Sequence, residues 1–363
     1  MKNVDLPAQL PKLPISLAMI VKDEERFIAA AVNSVKTVLG LCDLVVVDTG
    51  STDKTKEIAT KCGARVFDFT WIDDFSAARN YAAKKAKHDW ILFLDADEEI
   101  VDADMDELAA FLENTQAVGA IMMTEMSDNT RNPLSRLYNK RFYNLTGSIH
   151  EQITPVESHD NMLKKTIRQV PVTFIHHGYL PEVSIAKNKH KRNVGMLEKA
   201  LTDTPDDPYL LYCLGKTYFN NDSDLQKACF YFDKAISFID DFRLDYAYRA
   251  VECYGYALLK TAQYDKALTF MEQFIGVYDK KASFRFLCAH ILQNNALFQE
   301  AVEMYESCIG TARSDGTDDG IGSYLSYYNI GVILECVGMI DDAKAMYKNC
   351  GDYELAKKRL TGL

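Results

Sequence analysis

The sequence predicts an α/β domain with a mostly parallel sheet, followed by an all-α domain built from paired helices. Short apolar segments alternate with amphipathic ones over roughly the first third of the chain, which is typical of such a sheet covered on both faces. Beyond about residue 205 the apolar residues take helical spacing and begin to repeat. A length of 363 residues also exceeds one ordinary core, so we expect about two domains.

The first segments predict an extended arm, a strand, a helix and a second strand. Prolines at positions 7, 11 and 14 favour an arm over residues 1–14. "ISLAMIV" is apolar enough for a strand buried on both faces, and "LVVV" within "DLVVVD" predicts another. Between these strands, residues 26–39 place their apolar side chains on one helical stripe, namely Phe27, Ile28, Ala31, Val32, Val35 and Leu39.

The following segments complete the alternation of strands and helices. "TGSTDKTKEIATKCG" contains a glycine turn, a helix start that the run of Ser51, Thr52 and Asp53 is expected to cap, and a glycine stop. "ARVFDF" and "WILFLDA" predict two more strands, while "SAARNYAAKKAK" and "DELAAFLEN" predict helices. Such sheets bind ligands beyond the carboxyl ends of their strands, and Asp48, Asp95 and Asp97 all lie at predicted strand ends.

The C-terminal region repeats a pattern of small and aromatic residues. Small residues recur twelve positions apart, with one insertion in the first unit, at Gly215/Ala228, Gly255/Ala267, Ala289/Ala301 and Gly331/Ala343. An aromatic residue or Met follows four positions later, at Phe232, Met271, Tyr305 and Tyr347. The pattern resembles the tetratricopeptide helix pair, in which small residues let two helices approach closely. A stack of such pairs offers a concave surface for a peptide or partner protein.

The composition argues against several classes of function. With 41 Lys and Arg against 52 Asp and Glu, the net charge of -11 disfavours nonspecific binding of nucleic acid or anionic membranes. No apolar run approaches the roughly 20 residues that span a bilayer, and the N-terminus lacks a secretory apolar region. We therefore expect a cytoplasmic protein. Its nine cysteines lack zinc-ligand spacing, so most are expected to be core residues in a reducing compartment.

The segment "WILFLDADEEI" ends an apolar strand in four carboxylates. In an extended chain Asp95 and Asp97 project to the same side, where two oxygen ligands suit Mg2+ or Mn2+ completed by phosphate and water. The alternative is an acidic turn that keeps the strand end soluble. For Glu98 and Glu99 that alternative is the better interpretation, because no other feature of the sequence links them to a ligand.

Three segments in order resemble the donor half of family-two glycosyltransferases with the GT-A fold: "ISLAMIVKDEE", "LVVVDTGSTDKT" and "DDFSAARNYAAKKAKHDWILFLDADEEI". "RLYNKRFYNLTGSIHEQI", "FIHHGYLPEVSIAKNKHKRNVGMLEKAL" and the repeats are similar to the subgroup that contains the sublancin-type peptide S-glycosyltransferases. The resemblance implies a Rossmann-like GT-A domain over residues 15–183, a connecting helix over 184–205 and a tetratricopeptide-like domain over 206–363.

The resemblance assigns donor binding to residues at the strand ends. It implies that Asp48 contacts the nucleoside and that Asp95 contacts the ribose or a metal-bound water. Arg79, whose planar guanidinium group is always charged, would lie near the diphosphate. Asp23 and Glu24 stand near the expected base pocket, where the family often has Asn-Glu, so Asp23 departs from the family pattern.

The resemblance also implies a divalent metal, Mn2+ or Mg2+. Asp97 would bind it, with Asp95 beside it, and His176 of "HHGY" falls where the fold supplies a late ligand. Imidazole is acceptable to Mn2+, so a third protein ligand of this type is chemically reasonable. His177 is the adjacent choice, and an ordinary pair of strand-end histidines is the alternative to both.

The segment "GSIHEQI" is the candidate for acceptor chemistry. An inverting transfer needs a base that takes the proton of the acceptor while the anomeric carbon develops oxocarbenium character. Glu151 is the expected base, with His150 orienting it or the substrate. The alternative is that Glu151 makes an ordinary ion pair in a loop.

These residues together imply a metal-dependent inverting transferase that moves a hexose from a nucleotide diphosphate sugar, a UDP-sugar for preference, to a peptide or protein. The acceptor atom would be a Cys thiol or Ser hydroxyl, held by the helical domain. Transfer to a saccharide or lipid-linked glycan, a non-catalytic scaffold and a homo-oligomer all remain open. A basic cluster either forms a solvated helix face or meets phosphates or an acidic acceptor; it comprises Lys187, Lys189, Lys191 and Arg192.

Overall fold

The computed structural model describes residues 13–41, 43–125, 131–156, 165–177, 183–220, 224–311 and 320–363. Residues 1–12 of the predicted arm, and Cys42, lie outside these ranges. The chain divides into two compact units, Met1–Ala186 and Lys187–Leu363, and the division falls near the start of the predicted connecting helix. No helix among the described residues is long and apolar enough to cross a bilayer.

The first unit is the predicted α/β domain. Its elements are β1 (Ile15–Val21), α1 (Ile28–Leu39), β2 (Asp43–Asp48), α2 (Thr55–Lys61), β3 (Arg65–Asp68), α3 (Phe75–Lys85), β4 (Trp90–Phe93), β5 (Glu98–Ala103), α4 (Met105–Leu112), β6 (Ala117–Glu125), β7 (Arg131–Asn139), β8 (Tyr143–Thr146), β9 (Gln152–Pro155) and β10 (Thr166–His176). Eight strands form one sheet in the order β3-β2-β1-β4-β7-β6-β10-β5, and β8 pairs with β9 in a separate hairpin.

The sheet has a parallel half and a mixed half. Strands β3, β2, β1 and β4 are parallel, as the alternation of strands and helices predicted. Strand β7 then runs antiparallel to both β4 and β6, and β5 runs antiparallel to β10. Helix α1 buries the predicted stripe with the exception of Phe27, which precedes the helix, and it ends at Gly40 in the left-handed conformation.

The sheet curls so that its edge strand β5 approaches β4. Strands β4 and β5 are consecutive in the chain, yet three strands separate them in the sheet. A flat sheet would place them about 19 Å apart, whereas the five residue steps from Phe93 to Glu98 reach about 18 Å even when fully extended. The backbone N–H of Ile100 in β5 donates to Ser34 Oγ of α1 at 3.0 Å, which ties the curled edge to the helical layer.

The second unit consists of helices arranged in successive pairs. These are α5 (Val183–Asp203), α6 (Pro208–Asn220), α7 (Leu225–Ser237), α8 (Asp245–Lys260), α9 (Tyr264–Tyr278), α10 (Ala282–Asn294), α11 (Phe298–Glu306), α12 (Tyr324–Cys336), α13 (Ile340–Lys348) and α14 (Glu354–Gly362). Lys189 and Lys191 are exposed on α5, which fits a solvated helix face, and the side chain of Lys187 lies outside the described residues. Most of the described cysteines are buried free thiols, as predicted.

The small residues of the repeat bring paired helices together. A Cβ at Gly215 would stand 2.8 Å from the Phe232 ring, and one at Gly331 would stand 2.6 Å from the Tyr347 ring. Both pairs agree with the predicted tetratricopeptide-like packing. The neighbour of Gly255 is Leu287 of α10, at 2.7 Å, rather than a side chain of its own repeat unit.

The substitution Gly215→Ala is expected to destabilise the helical domain. Its Cβ would overlap a fully buried ring, at a cost of about 1–3 kcal/mol that outweighs the gain in helix propensity of about 1 kcal/mol. Gly276→Ala in α9 is the matched control, because a Cβ there meets no atom within 4 Å and should stabilise slightly. Urea unfolding monitored by circular dichroism measures both, and a Gly215→Ala midpoint at or above the Gly276→Ala midpoint would contradict the packing argument.

Candidate active site

Asp48 lies at the carboxyl end of β2, beside Val21 of β1. It is 2 % exposed, and its Oδ1 accepts hydrogen bonds from the backbone N–H groups of Gly50 and Ser51 at 3.0 and 2.9 Å. Its Oδ2 is buried and has no hydrogen-bond partner among the described residues. A buried carboxylate oxygen without a partner is costly, so this atom is suited to accept a hydrogen bond from a ligand.

Hydrogen bonds join the loop after β1 to the loop after β2. Asp23 Oδ1 accepts from the backbone N–H of Thr52 at 2.7 Å, and the backbone N–H of Asp23 donates to Ser51 Oγ at 2.9 Å. The backbone N–H of Glu24 donates to Thr55 Oγ1 at 2.7 Å. The capping prediction is therefore wrong for Ser51 and Thr52, whose side chains serve this contact between loops. Asp53, the third residue of the predicted run, does accept from the backbone N–H of Thr55 at the start of α2, at 2.9 Å.

The two aspartates of the D-x-D segment have different partners. Strand β4 ends at Phe93, and residues 96–97 form a turn, so the extended geometry assumed from the sequence does not apply. Asp97 Oδ2 lies 3.3 Å from His176 Nε2 at the end of β10. The carboxylate of Asp95 instead meets two arginines. The expectation that both carboxylates aim at one point is corrected accordingly.

Asp95 is held between Arg79 of α3 and Arg136 of β7. Arg79 Nη2 donates to Oδ1 at 2.7 Å, and Arg136 Nη2 donates to Oδ2 at 3.2 Å. Burial disfavours the charged carboxylate, but the two guanidinium groups outweigh burial and hold the pKa of Asp95 well below its usual range. Asp95 is thus held as an anion by two arginines, and its side chain is 39 % exposed.

Glu98 belongs to the same cluster of charges. Its Oε1 accepts from Arg136 Nη2 at 2.6 Å and its Oε2 accepts from the backbone N–H of Asp95 at 2.8 Å. Burial, assisted by the charge of Asp95 and opposed by Arg136, raises the pKa of Glu98 to about 7. The sequence-based interpretation of Glu98 as a solvated strand end is wrong, since the residue is 2 % exposed.

Glu151 lies at the end of the loop that joins β8 and β9. The loop turns sharply, with backbone φ angles of 93° at Gly147 and 55° at the exposed His150. Arg79 Nε donates to Glu151 Oε1 at 2.8 Å. The group that holds this carboxylate oxygen is therefore Arg79, the same side chain that binds Asp95. Arg79 Nη1 is buried without a partner among the described residues, so the predicted contact with a diphosphate rests on that atom.

Helix α3 positions the hairpin that carries Glu151. The Asn80 amide donates to the carbonyl of Leu145 at 2.7 Å and accepts from its N–H at 3.0 Å. At the start of the helix, the backbone N–H of Phe75 donates to the carbonyl of Ser148 at 2.8 Å. Three contacts from one helix therefore fix the hairpin, and the ion pair of Arg79 with Glu151 lies beside them.

The pair formed by Asp97 and His176 is the part of the site that fits a divalent cation. Two ligands on neighbouring octahedral positions at about 2.1 Å from Mg2+ are about 3 Å apart, close to the 3.3 Å between Oδ2 and Nε2. His177 Nε2 instead lies 2.9 Å from Glu99 Oε1. No three His, Cys, Asp or Glu side chains of the described ranges form a metal-binding group, so phosphate and water would have to complete the coordination.

Sequence reasoning missed Arg136 and Glu98. Arg136 is the charged residue of "LSRLYN" in β7, a strand that lies inside the sheet between β4 and β6. A charge flanked by Leu134, Leu137 and Tyr138 in a central strand is a usable signal, because buried charges require partners. The identity of the partners is set by strand pairing, which the sequence does not display.

The first unit is similar to a known protein family, and the chain is similar to several curated proteins. Residues 16–169 match the family model described as glycosyl transferase family 2. A TPR repeat-containing protein of Synechococcus elongatus is 36% identical over 210 residues, which cover 55% of this chain and 51% of the relative. The SPbeta prophage-derived glycosyltransferase SunS of Bacillus subtilis is 27% identical over 235 residues, which cover 61% and 53%.

These relatives are longer than the regions they share with this chain. The chain spans about half the length of the curated relatives it matches. Among solved structures, S. aureus TarS 1–349 is 14% identical with a TM-score of 0.38, over 83% of this chain and 93% of that chain.

Proposed function

We propose, on the premise that residues 16–169 form a glycosyltransferase family 2 domain, that this chain transfers a hexose from a nucleotide diphosphate sugar to a peptide or protein. The proposal is carried by three features that lie at the carboxyl ends of β2 and β10 or are linked to the end of β4 through Arg79 and Asp95. These features are the unpartnered Asp48 Oδ2, the pair formed by Asp97 and His176, and the Glu151 carboxylate held by Arg79.

Asp48 is proposed to bind the nucleoside. Its Oδ2 accepts a hydrogen bond from an N–H of the base or a hydroxyl of the ribose, which satisfies the buried oxygen. Asp23 and Glu24 shape the same end of the sheet through their contacts with the loop after β2. We take UDP as the preferred nucleotide, by the likeness to family-two enzymes.

Asp97 and His176 are proposed to hold Mn2+ or Mg2+ together with the diphosphate of the donor. Carboxylate oxygen and imidazole nitrogen are both acceptable ligands for Mn2+. When bound, the cation supplies charge neutralisation for the departing diphosphate. The side chain of Asp95 is held by two arginines.

Glu151 is proposed to be the base of an inverting transfer. The proton of the acceptor thiol or hydroxyl passes to the Glu151 carboxylate, and the electron pair of the acceptor atom forms the new bond to the anomeric carbon. The bond from that carbon to the diphosphate oxygen breaks, and the nucleoside diphosphate leaves. A thiol, with an ordinary pKa near 8.5, asks less of the base than a hydroxyl does.

A peptide or protein acceptor agrees best with the helical domain. Its paired helices carry half-buried aromatic side chains on neighbouring elements, with the Tyr209 and Tyr246 rings 5.3 Å apart on α6 and α8. Partly exposed tyrosines on stacked helix pairs offer both apolar area and hydrogen-bonding groups for an extended chain. The curated relatives include one named for its TPR repeats and one named as a glycosyltransferase.

A panel of nucleotide sugars with Mn2+ or Mg2+, scored by released nucleotide, tests the proposed function. Mass spectrometry of the products, with peptide and glycan acceptors offered together, identifies the acceptor class. We expect release from one UDP-hexose and mass added to a peptide. Mass added only to the glycan would reject the peptide assignment, and absence of release from every donor would reject the transferase.

The substitution Asp48→Asn is expected to lower the affinity for UDP by at least tenfold. The amide loses the charged acceptor proposed for the nucleoside, while its remaining oxygen preserves the bonds from Gly50 and Ser51. Asp68→Asn is the matched control, because Asp68 ends β3 at the same edge but is exposed and paired with Lys56. Calorimetric titration with UDP and Mn2+ measures both, and equal affinities for the two variants would refute the assignment.

A further inference from the structure

A continuous chain of hydrogen-bonded charges joins β5 to the loop of Glu151. Glu98 Oε1 lies 2.6 Å from Arg136 Nη2, which lies 3.2 Å from Asp95 Oδ2. Asp95 Oδ1 lies 2.7 Å from Arg79 Nη2, and Arg79 Nε lies 2.8 Å from Glu151 Oε1. We call these five residues the charge chain. Acidic and basic groups alternate along it without a gap.

Each inner member of the charge chain is held from two sides. The Phe93 ring adds a third constraint, because the guanidinium carbons of Arg79 and Arg136 both lie 4.9 Å from its centroid. Guanidinium groups pack favourably on aromatic faces, which defines the position of their planes as well as their charge. The orientation of the Arg79 fork therefore depends on Asp95, and that of Asp95 depends on Arg136.

Stability alone is a weak reason for such an arrangement. Buried ion pairs lose solvation on folding, and well-packed apolar residues in their place are often as stable or more so. Here Glu98 is nearly inaccessible to solvent and both guanidinium groups are largely buried, whereas the side chain of Asp95 is 39 % exposed. The charge chain also ends at Glu151, the residue that the proposed function assigns as the base. The geometry of the charge chain is therefore linked to the reaction.

We propose that Arg136 and Glu98 are positioning residues that align the Glu151 carboxylate for proton transfer, acting through Asp95 and Arg79. This inference rests on the proposed role of Glu151. Arg136 hydrogen-bonds to Asp95 and Glu98 rather than to Glu151, so its influence on that carboxylate passes along the chain. Small displacements of a catalytic group reduce rates strongly, which is why remote members of the chain matter.

The test is a mutant cycle that combines Glu98→Gln/Arg136→Met with Glu151→Gln. The paired substitution removes one acid and one base together, so that no unpaired buried charge is left between them. We expect the kcat of transfer to fall at least tenfold in the wild-type background, with a smaller change in the donor KM and in the affinity for UDP, since Arg79 is also expected to contact the diphosphate. In the Glu151→Gln background, residual transfer measured by product mass should fall no further.

The control is Asp43→Asn/Arg65→Met, which removes another ion pair, at 2.7 Å, with Asp43 buried at the opposite end of β2. It should lower the unfolding temperature without lowering kcat. The inference would be overturned if Glu98→Gln/Arg136→Met lowered transfer by the same factor in the wild-type and Glu151→Gln backgrounds. It would also be overturned if only the donor KM changed. A normal rate for Glu151→Gln alone would instead refute the proposed base.

Arg136→Lys covers the case in which the paired variant does not fold. Lysine keeps the charge but lacks the planar fork that contacts Asp95 and Glu98 together, so it should lower kcat by a smaller factor with the same dependence on Glu151. Full activity of Arg136→Lys would also overturn the inference.

Discussion

Replacing Glu151 with Gln is expected to reduce transfer by a factor of about 10²–10⁴ while leaving the affinity for UDP unchanged. The amide has nearly the same shape and still accepts a hydrogen bond from Arg79 Nε through its oxygen, but it cannot take the proton of the acceptor. The variant therefore separates the proposed base from a loop residue that only pairs with Arg79. Product mass and calorimetric titration with UDP and Mn2+ provide the two measurements.

Gln152→Ala is the matched control for Glu151→Gln. Gln152 is the next residue in the chain and is exposed, and its side chain donates to the carbonyl of His150 at 3.3 Å. Loss of this contact should change transfer by less than threefold. If Glu151→Gln and Gln152→Ala behave alike, Glu151 is an ordinary partner of Arg79 and another group takes the proton.

Replacing Asp97 with Ala is expected to abolish the part of UDP binding that depends on Mn2+, together with donor hydrolysis and transfer. The fold should persist, because the contact from the backbone N–H of His177 to residue 97 uses the main-chain carbonyl at 2.9 Å and survives the substitution. Calorimetry of UDP with and without Mn2+ measures the metal-dependent part directly, independently of turnover.

Glu99→Ala tests the specificity of that result. Glu99 lies two residues further along the chain and meets His177, whereas Asp97 meets His176. Its removal should leave metal-dependent binding within about twofold of normal. If Glu99→Ala abolishes the effect of Mn2+ and Asp97→Ala does not, the cation is held by the other acid and histidine pair.

The elements were predictable from the sequence where the apolar pattern is strong. The uniform burial of β2 and the buried stripe of α1 follow directly from their residues, and the spacing of Gly215 from Phe232 anticipates the packing of α6 on α7. In each case the spacing of apolar or small residues along one strand or helix determines which face is buried, and the packing in the structure follows that spacing.

The predictions that failed depend on contacts between distant segments. Ser51 fits a local capping rule, yet its hydroxyl accepts from the backbone of Asp23, twenty-eight residues earlier. Asp95 follows a strand whose extended geometry stops two residues before it, and Arg136 reaches it from another strand. These outcomes are decided by the order of strands in the sheet, which side-chain periodicity does not encode.

The short connection from β4 to β5 constrains how this sequence can change. Because a turn at residues 96–97 joins Phe93 to Glu98, deletion of one residue would open the turn that carries Asp97. Insertion of one residue would keep the strands paired but would separate Asp97 from His176. Substitutions in this segment should therefore be tolerated more readily than insertions or deletions, because the length of the segment determines where Asp97 lies relative to His176.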